Sequence, residues 1–293
     1  MRIGIQVPED ETVARNVIAA SVQAKRLLSS DTTLVLIGDP SKVKHLLTCE
    51  GAIASSFDCI PVGKADCGNS ITENKLEFLD KYQIDTLLTV TDTPPRTVDF
   101  NGFMREGIDK PALASLLPQL SGGKSLILDV GLNPDCTAEQ LLQFAQLGHE
   151  FSQAFLGIDS PRIALMNIGE EEEKGNLLSQ KTHCLLKESG LDFIGNVEGR
   201  DAFTNKADVI ICEGFTGNII LKLAESFYNL TKVKKYYDSF FQKLNFSEEG
   251  IMVVLGIRKG IFICRKNASV EAIKSTIGDA KKLADSQTLA DLL

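Results

Sequence analysis

Short apolar runs alternate with amphipathic helical patterns along most of this chain, and this alternation constrains its fold more than any other feature. The segments between the runs repeat their apolar residues at the spacing of one helix face. Such a pattern is typical of β-α-β units with right-handed crossovers, which build a mainly parallel sheet covered by helices. The sequence therefore predicts an α/β fold with three layers, α/β/α. The predicted strands are Ile3–Val7, Thr33–Ile37, Thr86–Val90, Ser125–Val130, Ile163–Ile168 and Asp208–Cys212.

The C-terminal part of the pattern differs, because two apolar runs follow each other without a helix between them. "GIMVVLGI" and "GIFICRK" are separated by "RKG", which predicts a β-hairpin, and Val270–Ala284 predicts a closing helix. No internal repeat, low-complexity tract or linker rich in Pro, Gly and Ser divides the chain. We therefore predict a single domain over residues 1–293.

The composition argues against several classes of protein. A net charge of −8 does not suit a nucleic-acid surface, which needs a concentrated basic face. The seven cysteines are scattered singly and the three histidines share no ligand spacing, so we predict reduced thiols, no metal site and no cofactor. The opening "MRIGIQVPED" is not typical of a signal peptide, and no apolar run reaches the roughly 18 residues of a membrane span. These features favour a cytoplasmic protein.

Five segments directly follow short apolar runs, and ligands of open α/β sheets bind beyond the carboxyl ends of the strands. In "EGFTGN", Gly214 and Gly217 bracket a turn that opens a helix, and free amides at a helix start hold anions. A glycine-containing turn without a ligand is the competing interpretation. The five segments are "DVGLNPDC", "NIGEEEEKGN", "GNVEGRD", "EGFTGN" and "TDTPPR".

The run "NIGEEEEKGN" gathers four carboxylates, Glu170 to Glu173, directly before Lys174. Acidic residues are favoured in the first turn of a helix, because its N-terminus carries a partial positive charge. We therefore predict that a new helix begins after Gly169 and that the carboxylates form its first turn.

These segments carry a resemblance to a known family. From about Lys110 to Tyr228, the chain resembles the acyl-acyl carrier protein:phosphate acyltransferase family, PlsX. The resemblance implies a Rossmann-like α/β/α fold, usually in a homodimer. It also implies transfer of a fatty acyl group from acyl carrier protein to inorganic phosphate, giving acyl phosphate for phospholipid synthesis. The segments are "KPALASLLP", "GGKSLILDVGLNPDC", "LLQFAQLG", "PRIALMNIGEEEEKGN", "FIGNVEGRD" and "ADVIICEGFTGNIILK".

The resemblance also implies which residues form the site. The family's lysine in GEEExKG and asparagine in GFxGN correspond to Lys174 and Asn218 as catalytic residues. Phosphate is already a nucleophile at neutral pH, so the enzyme mainly holds it in line and stabilises the developing oxyanion. On this hypothesis, the carboxylates before Lys174 orient it by ion pairing. Further substrate or phosphate ligands are expected at Gly169, Gly175, Asn176, Asn196, Glu198, Arg200, Gly214, Phe215, Thr216 and Gly217.

Two glycine-rich loops of the family are replaced in this chain. "MGGD" corresponds to "QVPED" at Gln6–Asp10, and "SAGNTGA" corresponds to "TVTDTPPR" at Thr89–Arg96. Arg96 is the candidate substitute ligand for phosphate. Three hypotheses stay open: an active acyltransferase with substitute ligands, a non-catalytic relative that binds acyl carrier protein or a partner acyltransferase, and a phosphotransacetylase-like enzyme that uses coenzyme A.

The segment "TKVKKYYDSFFQKLNF", Thr231–Phe246, predicts a protruding amphipathic helix. Its lysines and aromatic stripe suit peripheral contact with the inner face of an anionic membrane, or with an acidic carrier protein. Dimer packing is the alternative, because large apolar stripes are usually buried in protein. The stripe is Val233, Tyr236, Tyr237, Phe240, Phe241 and Leu244, flanked by Lys232, Lys234, Lys235 and Lys243.

Overall fold

The computed structural model describes residues 1–62, 73–92, 100–246, 248 and 251–285. Arg96 and most of its loop lie outside the described residues. The chain forms two compact units, one built from Met1–Phe103 with the segment that starts at Lys259, and one built from Met104–Arg258. The single domain over residues 1–293 therefore stays a prediction.

Strands and helices alternate along the described residues in the following order. The elements are β1 (Arg2–Gln6), α1 (Glu11–Lys25), β2 (Thr33–Gly38), α2 (Pro40–Cys49), β3 (Asp58–Pro61), α3 (Glu73–Lys81), β4 (Thr86–Val90), β5 (Ala112–Pro118), β6 (Lys124–Leu128), α4 (Ala138–Phe151), β7 (Ile163–Met166), α5 (Leu177–Glu188), β8 (Phe193–Val197), β9 (Val209–Ile211), α6 (Gly214–Val233), α7 (Ser239–Gln242), β10 (Met252–Leu255), β11 (Gly260–Cys264) and α8 (Val270–Asp285).

The first unit has a parallel sheet in the strand order β3-β2-β1-β4-β11. Its central strands are buried on both faces, as the apolar runs predict. Asp10 accepts a hydrogen bond from Val13 N at the start of α1, and Asp39 accepts one from Lys42 N at the start of α2. These side chains satisfy amide groups that have no partner inside the helix, so they fix where each helix begins.

The second unit contains the order β10-β5-β6-β9-β7-β8. Strands β6, β9, β7 and β8 are parallel, whereas β5 pairs antiparallel with both β10 and β6. The carboxyl ends of the four parallel strands therefore meet at one edge of the sheet. Helix α4 begins at a reciprocal cap, in which Thr137 and Gln140 each accept the other's backbone N–H.

A paired arginine joins the amino ends of β7 and β9. The Arg162 guanidinium donates from Nε and Nη2 to the two carboxylate oxygens of Asp208, both at 2.9 Å. Burial raises the pKa of Asp208, but the Arg162 donors outweigh burial and hold it below its usual value. The pair stabilises the fold above the unfolded-state pKa of an aspartate, and this stabilisation is lost as the pH falls through the lowered value.

The predicted α/β/α class is confirmed, with helices on both sides of a mostly parallel sheet. All six predicted strands form, with their ends shifted by a few residues, and so do the two C-terminal strands and the closing helix α8. The antiparallel strand β5 was not predicted. Among the described residues, no helix combines the length and apolar content needed to cross a membrane.

Two helix predictions are wrong. The four carboxylates do not form the first turn of α5, which begins only at Leu177 after the cap residue Asn176. Residues 231–246 do not form one helix, because α6 ends at Val233 and Lys235 takes a positive φ of 54° that breaks the helical path. The short α7 then starts after Asp238, whose carboxylate accepts the N–H groups of two α7 residues.

A glycine allows α4 to approach the sheet closely. A Cβ atom at Gly148 would lie 2.6 Å from Cγ1 of Val209 and 3.2 Å from Cδ2 of Leu128. A side chain there would force the helix away from β6 and β9.

We expect Gly148→Ala to lower the free energy of unfolding by roughly 1 to 3 kcal/mol, because overpacking displaces α4. Gly278→Ala in α8 is the matched control, since a Cβ there meets nothing within 4 Å. It should leave stability unchanged or raise it by up to about 1 kcal/mol through its helix propensity. Urea unfolding followed by circular dichroism measures both, and equal stabilities would contradict the close approach of α4.

Candidate functional site

A buried carboxylate organises the loop between β6 and α4. Oδ1 of Asp129 accepts the backbone N–H groups of Leu113, Gly131 and Leu132 at 3.0–3.2 Å. Oδ2 accepts the backbone N–H of Asn133 at 2.6 Å and its side-chain Nδ2 at 2.8 Å. Burial raises the pKa of Asp129, while these donors favour its charged form. Since each hydrogen bond to a charged group is worth roughly 1.5 to 3 kcal/mol, the loop conformation depends on this side chain.

The first turn of α6 rests on the loop that Asp129 holds. A Cβ atom at Gly217 would lie 2.0 Å from the carbonyl oxygen of Asp129, and one at Gly214 would lie 2.7 Å from that of Asn133. Gly214 N also donates to the Asn133 carbonyl oxygen at 2.7 Å. The two glycines of "EGFTGN" are therefore explained by backbone contact, and the Gly214 amide is already used.

Three further features mark the start of α6: a side-chain cap, an exposed aromatic ring and an amide side chain. Glu213 caps the helix by accepting the backbone N–H of Thr216 at 3.1 Å, and the Thr216 hydroxyl donates to the same carboxylate. Phe215 is 63% exposed, although it is a large apolar side chain. The half-buried side chain of Asn218 makes no hydrogen bond to the described residues, so its amide group is available to a ligand.

The acidic loop, residues 169–175, lies between β7 and α5. Glu170 forms an ion pair with Lys206 and Glu172 forms one with Lys187, each at 2.6 Å. Lys174 is exposed, and within the part of the chain that the structure describes its ammonium group forms no ion pair. The hypothesis that the carboxylates orient Lys174 by pairing with it is wrong. Glu170 and Glu172 bind other lysines, and no carboxylate of the described residues pairs with Lys174.

Two amide side chains, one after β7 and one on α5, fix the backbone of the acidic loop by hydrogen bonds. Asn167 Nδ2 donates to the Lys174 carbonyl oxygen at 3.1 Å, and Gln180 Nε2 donates to that of Glu173 at 2.7 Å. Gly175 has a φ of 89°, and a Cβ there would lie 2.3 Å from Oδ1 of Asn167. Asn176 then caps α5 by accepting Ser179 N at 2.9 Å. Gly175 and Asn176 thus have roles in the loop whether or not they touch a ligand.

The polar side chains at and after the end of β8 already bind other groups of the protein. Asn196 is buried and donates from Nδ2 to the Glu171 carbonyl oxygen at 2.8 Å. Arg200 Nη2 lies 2.5 Å from Oε2 of Glu198. A phosphate-binding role for these three residues, and for Gly169 beside the Lys174 side chain, stays a prediction.

A cleft of about 410 Å³ opens where the β6–α4 loop meets the starts of α5 and α6. It brings together two residues of the predicted site, Asn176 and Phe215, but Lys174 and Asn218 do not line it. Lys110 Nζ donates to the Asp135 carbonyl oxygen beside it, at 3.3 Å. The lining residues are Pro134, Asp135, Cys136, Asn176, Leu178, Glu213 and Phe215.

Sequence reasoning selected "DVGLNPDC" as a segment but assigned no residue in it. The structure gives Asp129 and Asn133 a central role there and places Asp135 and Cys136 in the cleft. The available signal was an aspartate directly after a buried strand, followed by an asparagine and a second aspartate.

Comparison with solved structures defines the class of fold. A phosphotransacetylase from Streptococcus pyogenes matches with a TM-score of 0.66 and 15% identity, over 97% of this chain and 94% of that one. A branched-chain phosphotransacylase from Enterococcus faecalis V583 matches with a TM-score of 0.66 and 11% identity, over 98% and 100%. The chain therefore has the α/β fold of the phosphotransacylases.

Comparison with sequences defines the family. A family model described as "Fatty acid synthesis protein" matches residues 100–234. The phosphate acyltransferase of Desulfitobacterium hafniense (strain DSM 10664 / DCB-2) is 38% identical over 100% of this chain and 96% of its own length. That of Syntrophomonas wolfei is 42% identical over 57% of this chain, and the chain spans only 54% of its length. This chain belongs to the phosphate acyltransferase family.

Cys136 lines the cleft, but burial and the carboxylate of Asp129 raise its pKa to about 12. Its thiol is therefore protonated at neutral pH and is a poor nucleophile.

We expect iodoacetamide at pH 8 to alkylate Cys136 at least about 100-fold more slowly than the exposed Cys49 and Cys184, because only the thiolate reacts. The rate at Cys136 should rise about tenfold for each pH unit up to its pKa. Peptide mass spectrometry over a time course measures all three sites. Equal labelling of Cys136 and Cys184 would contradict the raised pKa.

Proposed function

We propose that this protein transfers an acyl group from a thioester to inorganic phosphate. The observation that carries the proposal is the exposed ammonium group of Lys174, which forms no ion pair with the described residues, on a loop whose backbone is fixed by side-chain hydrogen bonds. Because an exposed ammonium group without a carboxylate partner attracts anions, it suits phosphate or a developing oxyanion. Membership of the phosphate acyltransferase family supports the same assignment.

The proposed reaction needs few groups from the protein. A phosphate oxygen attacks the thioester carbonyl carbon, the carbon–sulfur bond breaks, and the thiolate leaves to take up a proton from solvent. Lys174 neutralises charge on phosphate, and the free amide of Asn218 donates to the carbonyl oxygen as negative charge develops there.

The cleft suits the thioester arm better than phosphate. The carboxylates of Asp135 and Glu213 line it, and they would repel a dianion. An uncharged thiol arm with amide groups could bind to these carboxylates, and the exposed ring of Phe215 offers it an apolar surface. We therefore assign the donor to the cleft and phosphate to the side of Lys174.

We further propose acyl carrier protein as the donor and phospholipid synthesis in the cytoplasm as the setting. Lys232, Lys234 and Lys235 are exposed around the end of α6, which suits an acidic partner. Val233, Tyr236 and Tyr237 are exposed beside them, so the same surface suits peripheral contact with an anionic membrane. Coenzyme A is the alternative donor, and comparison of the two thioesters distinguishes them. Arg96 remains the proposed substitute phosphate ligand.

We expect Lys174→Ala to lower turnover at least tenfold with little change in stability, since a charge directed at a developing oxyanion is worth roughly 2 to 4 kcal/mol. Lys181→Ala is the matched control, because Lys181 is an exposed lysine on α5. Phosphate-dependent release of thiol from acyl carrier protein and coenzyme A thioesters measures turnover.

The outcomes separate the hypotheses. Wild-type turnover in Lys174→Ala would remove this lysine from the site. Thioester binding without turnover in the wild-type protein would favour the non-catalytic relative. Turnover with coenzyme A thioesters alone would favour the phosphotransacetylase-like reaction.

We also propose that α6 forms a homodimer interface. Its exposed face carries an apolar series, the α6 stripe, at positions i, i+4, i+8 and i+11. These side chains are between 38% and 57% exposed, and such a face is normally covered in the assembled protein. A second copy of the same stripe would complement it in length and in character. The α6 stripe is Ile219, Leu223, Phe227 and Leu230.

We expect Leu223→Lys to convert a dimer into monomers, because it places a charge in the middle of an apolar interface. Asn229→Lys adds the same charge on the polar flank of α6 and should leave the dimer intact. Sedimentation equilibrium distinguishes the two variants. Dissociation in both would point to net charge, and dissociation in neither would contradict the interface.

A further inference from the structure

We infer that His183 is a positioning residue for Lys174 and acts through the side chain of Asn196. His183 lies on α5 and is buried, and its Nδ1 lies 3.1 Å from Oδ1 of Asn196. Asn196 Nδ2 donates to the Glu171 carbonyl oxygen at 2.8 Å. That same oxygen accepts the backbone N–H of Lys174 at 3.1 Å. A continuous chain of hydrogen bonds therefore runs from a buried ring to the backbone of the proposed catalytic lysine.

The directions of these hydrogen bonds show which ring nitrogen of His183 is the donor. Because Asn196 uses its NH2 group toward Glu171, its Oδ1 is an acceptor, and Nδ1 of His183 must carry the hydrogen. The ring also meets Phe193 edge-on, with the ring centroids 5.1 Å apart, and its Nε2 lies 3.9 Å from Oε1 of Glu172. The imidazole thus contacts residues of both β8 and the acidic loop.

This buried link differs in kind from the other contacts of the acidic loop. The ion pairs of Glu170 and Glu172 involve exposed side chains, so salt screens them. The side chain of Asn196, which donates the hydrogen bond to Glu171, is by contrast buried. We therefore expect the loop to keep its order at high salt and to lose it when the donor on His183 is removed.

Substitutions at position 183 separate the hydrogen bond from packing. Asparagine carries an amide nitrogen on Cγ, where histidine carries Nδ1, so His183→Asn keeps the donor. Glutamine carries its amide one bond further out, near the position of Nε2, so His183→Gln keeps polarity but moves the donor. His183→Leu removes the donor at similar volume. Thr182→Val is the control on the same helix, because its hydroxyl donates to the Leu178 carbonyl oxygen and to no other group of the described residues.

The first measurement is hydrogen–deuterium exchange of the full chain, followed in peptides that cover residues 168–177. We expect exchange at least tenfold faster in His183→Leu and His183→Gln, and near-wild-type exchange in His183→Asn and Thr182→Val. The pattern should be the same at low and high salt. Unchanged exchange in the Leu and Gln variants would overturn the inference, as would equal loss in Asn and Gln.

The second measurement is steady-state turnover, and this part rests on the proposed function. We expect kcat to fall about tenfold in His183→Gln, with the KM for the acyl thioester unchanged and kcat restored in His183→Asn. Loss of kcat in Gln without recovery in Asn would show a role in packing only and would overturn the inference. If the wild-type protein shows no turnover, the proposed function fails, while the exchange experiment still decides the role of His183.

Discussion

The carboxylate of Asp129 is fully buried and accepts five hydrogen bonds, four of them from backbone N–H groups. A buried charge is tolerated only when its acceptor capacity is filled, so the loop after β6 must fold around it. The carbonyl groups that this loop presents then receive the first turn of α6, at two positions where a side chain would collide. The positions of Asn218 and Phe215 thus depend on the Asp129 carboxylate, which acts through the loop after β6.

In the acidic loop, exposed carboxylates form ion pairs that help to fix the backbone. Two of its four carboxylates, Glu170 and Glu172, bind lysines that belong to α5 and to the segment before β9, and each exposed pair is worth little alone. Together with the amide side chains of Asn167 and Gln180, they fix its backbone, while the Lys174 ammonium group has no ion-pair partner among the described residues. Glu170 and Glu172 are therefore engaged by other lysines rather than by Lys174.

The proposed places of the thioester donor and of phosphate differ in charge. The cleft beside Phe215 carries acidic residues and a protonated Cys136, whereas Lys174 is a cation that forms no ion pair with the described residues. A neutral thioester arm and an anionic phosphate would be sorted to different places by charge alone. Family membership is consistent with such a pair of substrates, and the site offers a physical reason for their separation.

The sequence by itself determined the α/β class, eight of the strands and the segments that follow the strand ends, because periodicity and strand-end position are local properties. It also determined family membership through motifs around Lys174 and Asn218. Only the tertiary structure decided that the carboxylates before Lys174 pair with Lys187 and Lys206, that Asn196 is buried, and that Gly214 and Gly217 serve backbone contact. These outcomes depend on which distant residues the fold brings within a few ångströms, and a charge or a glycine in sequence does not specify its neighbour in space.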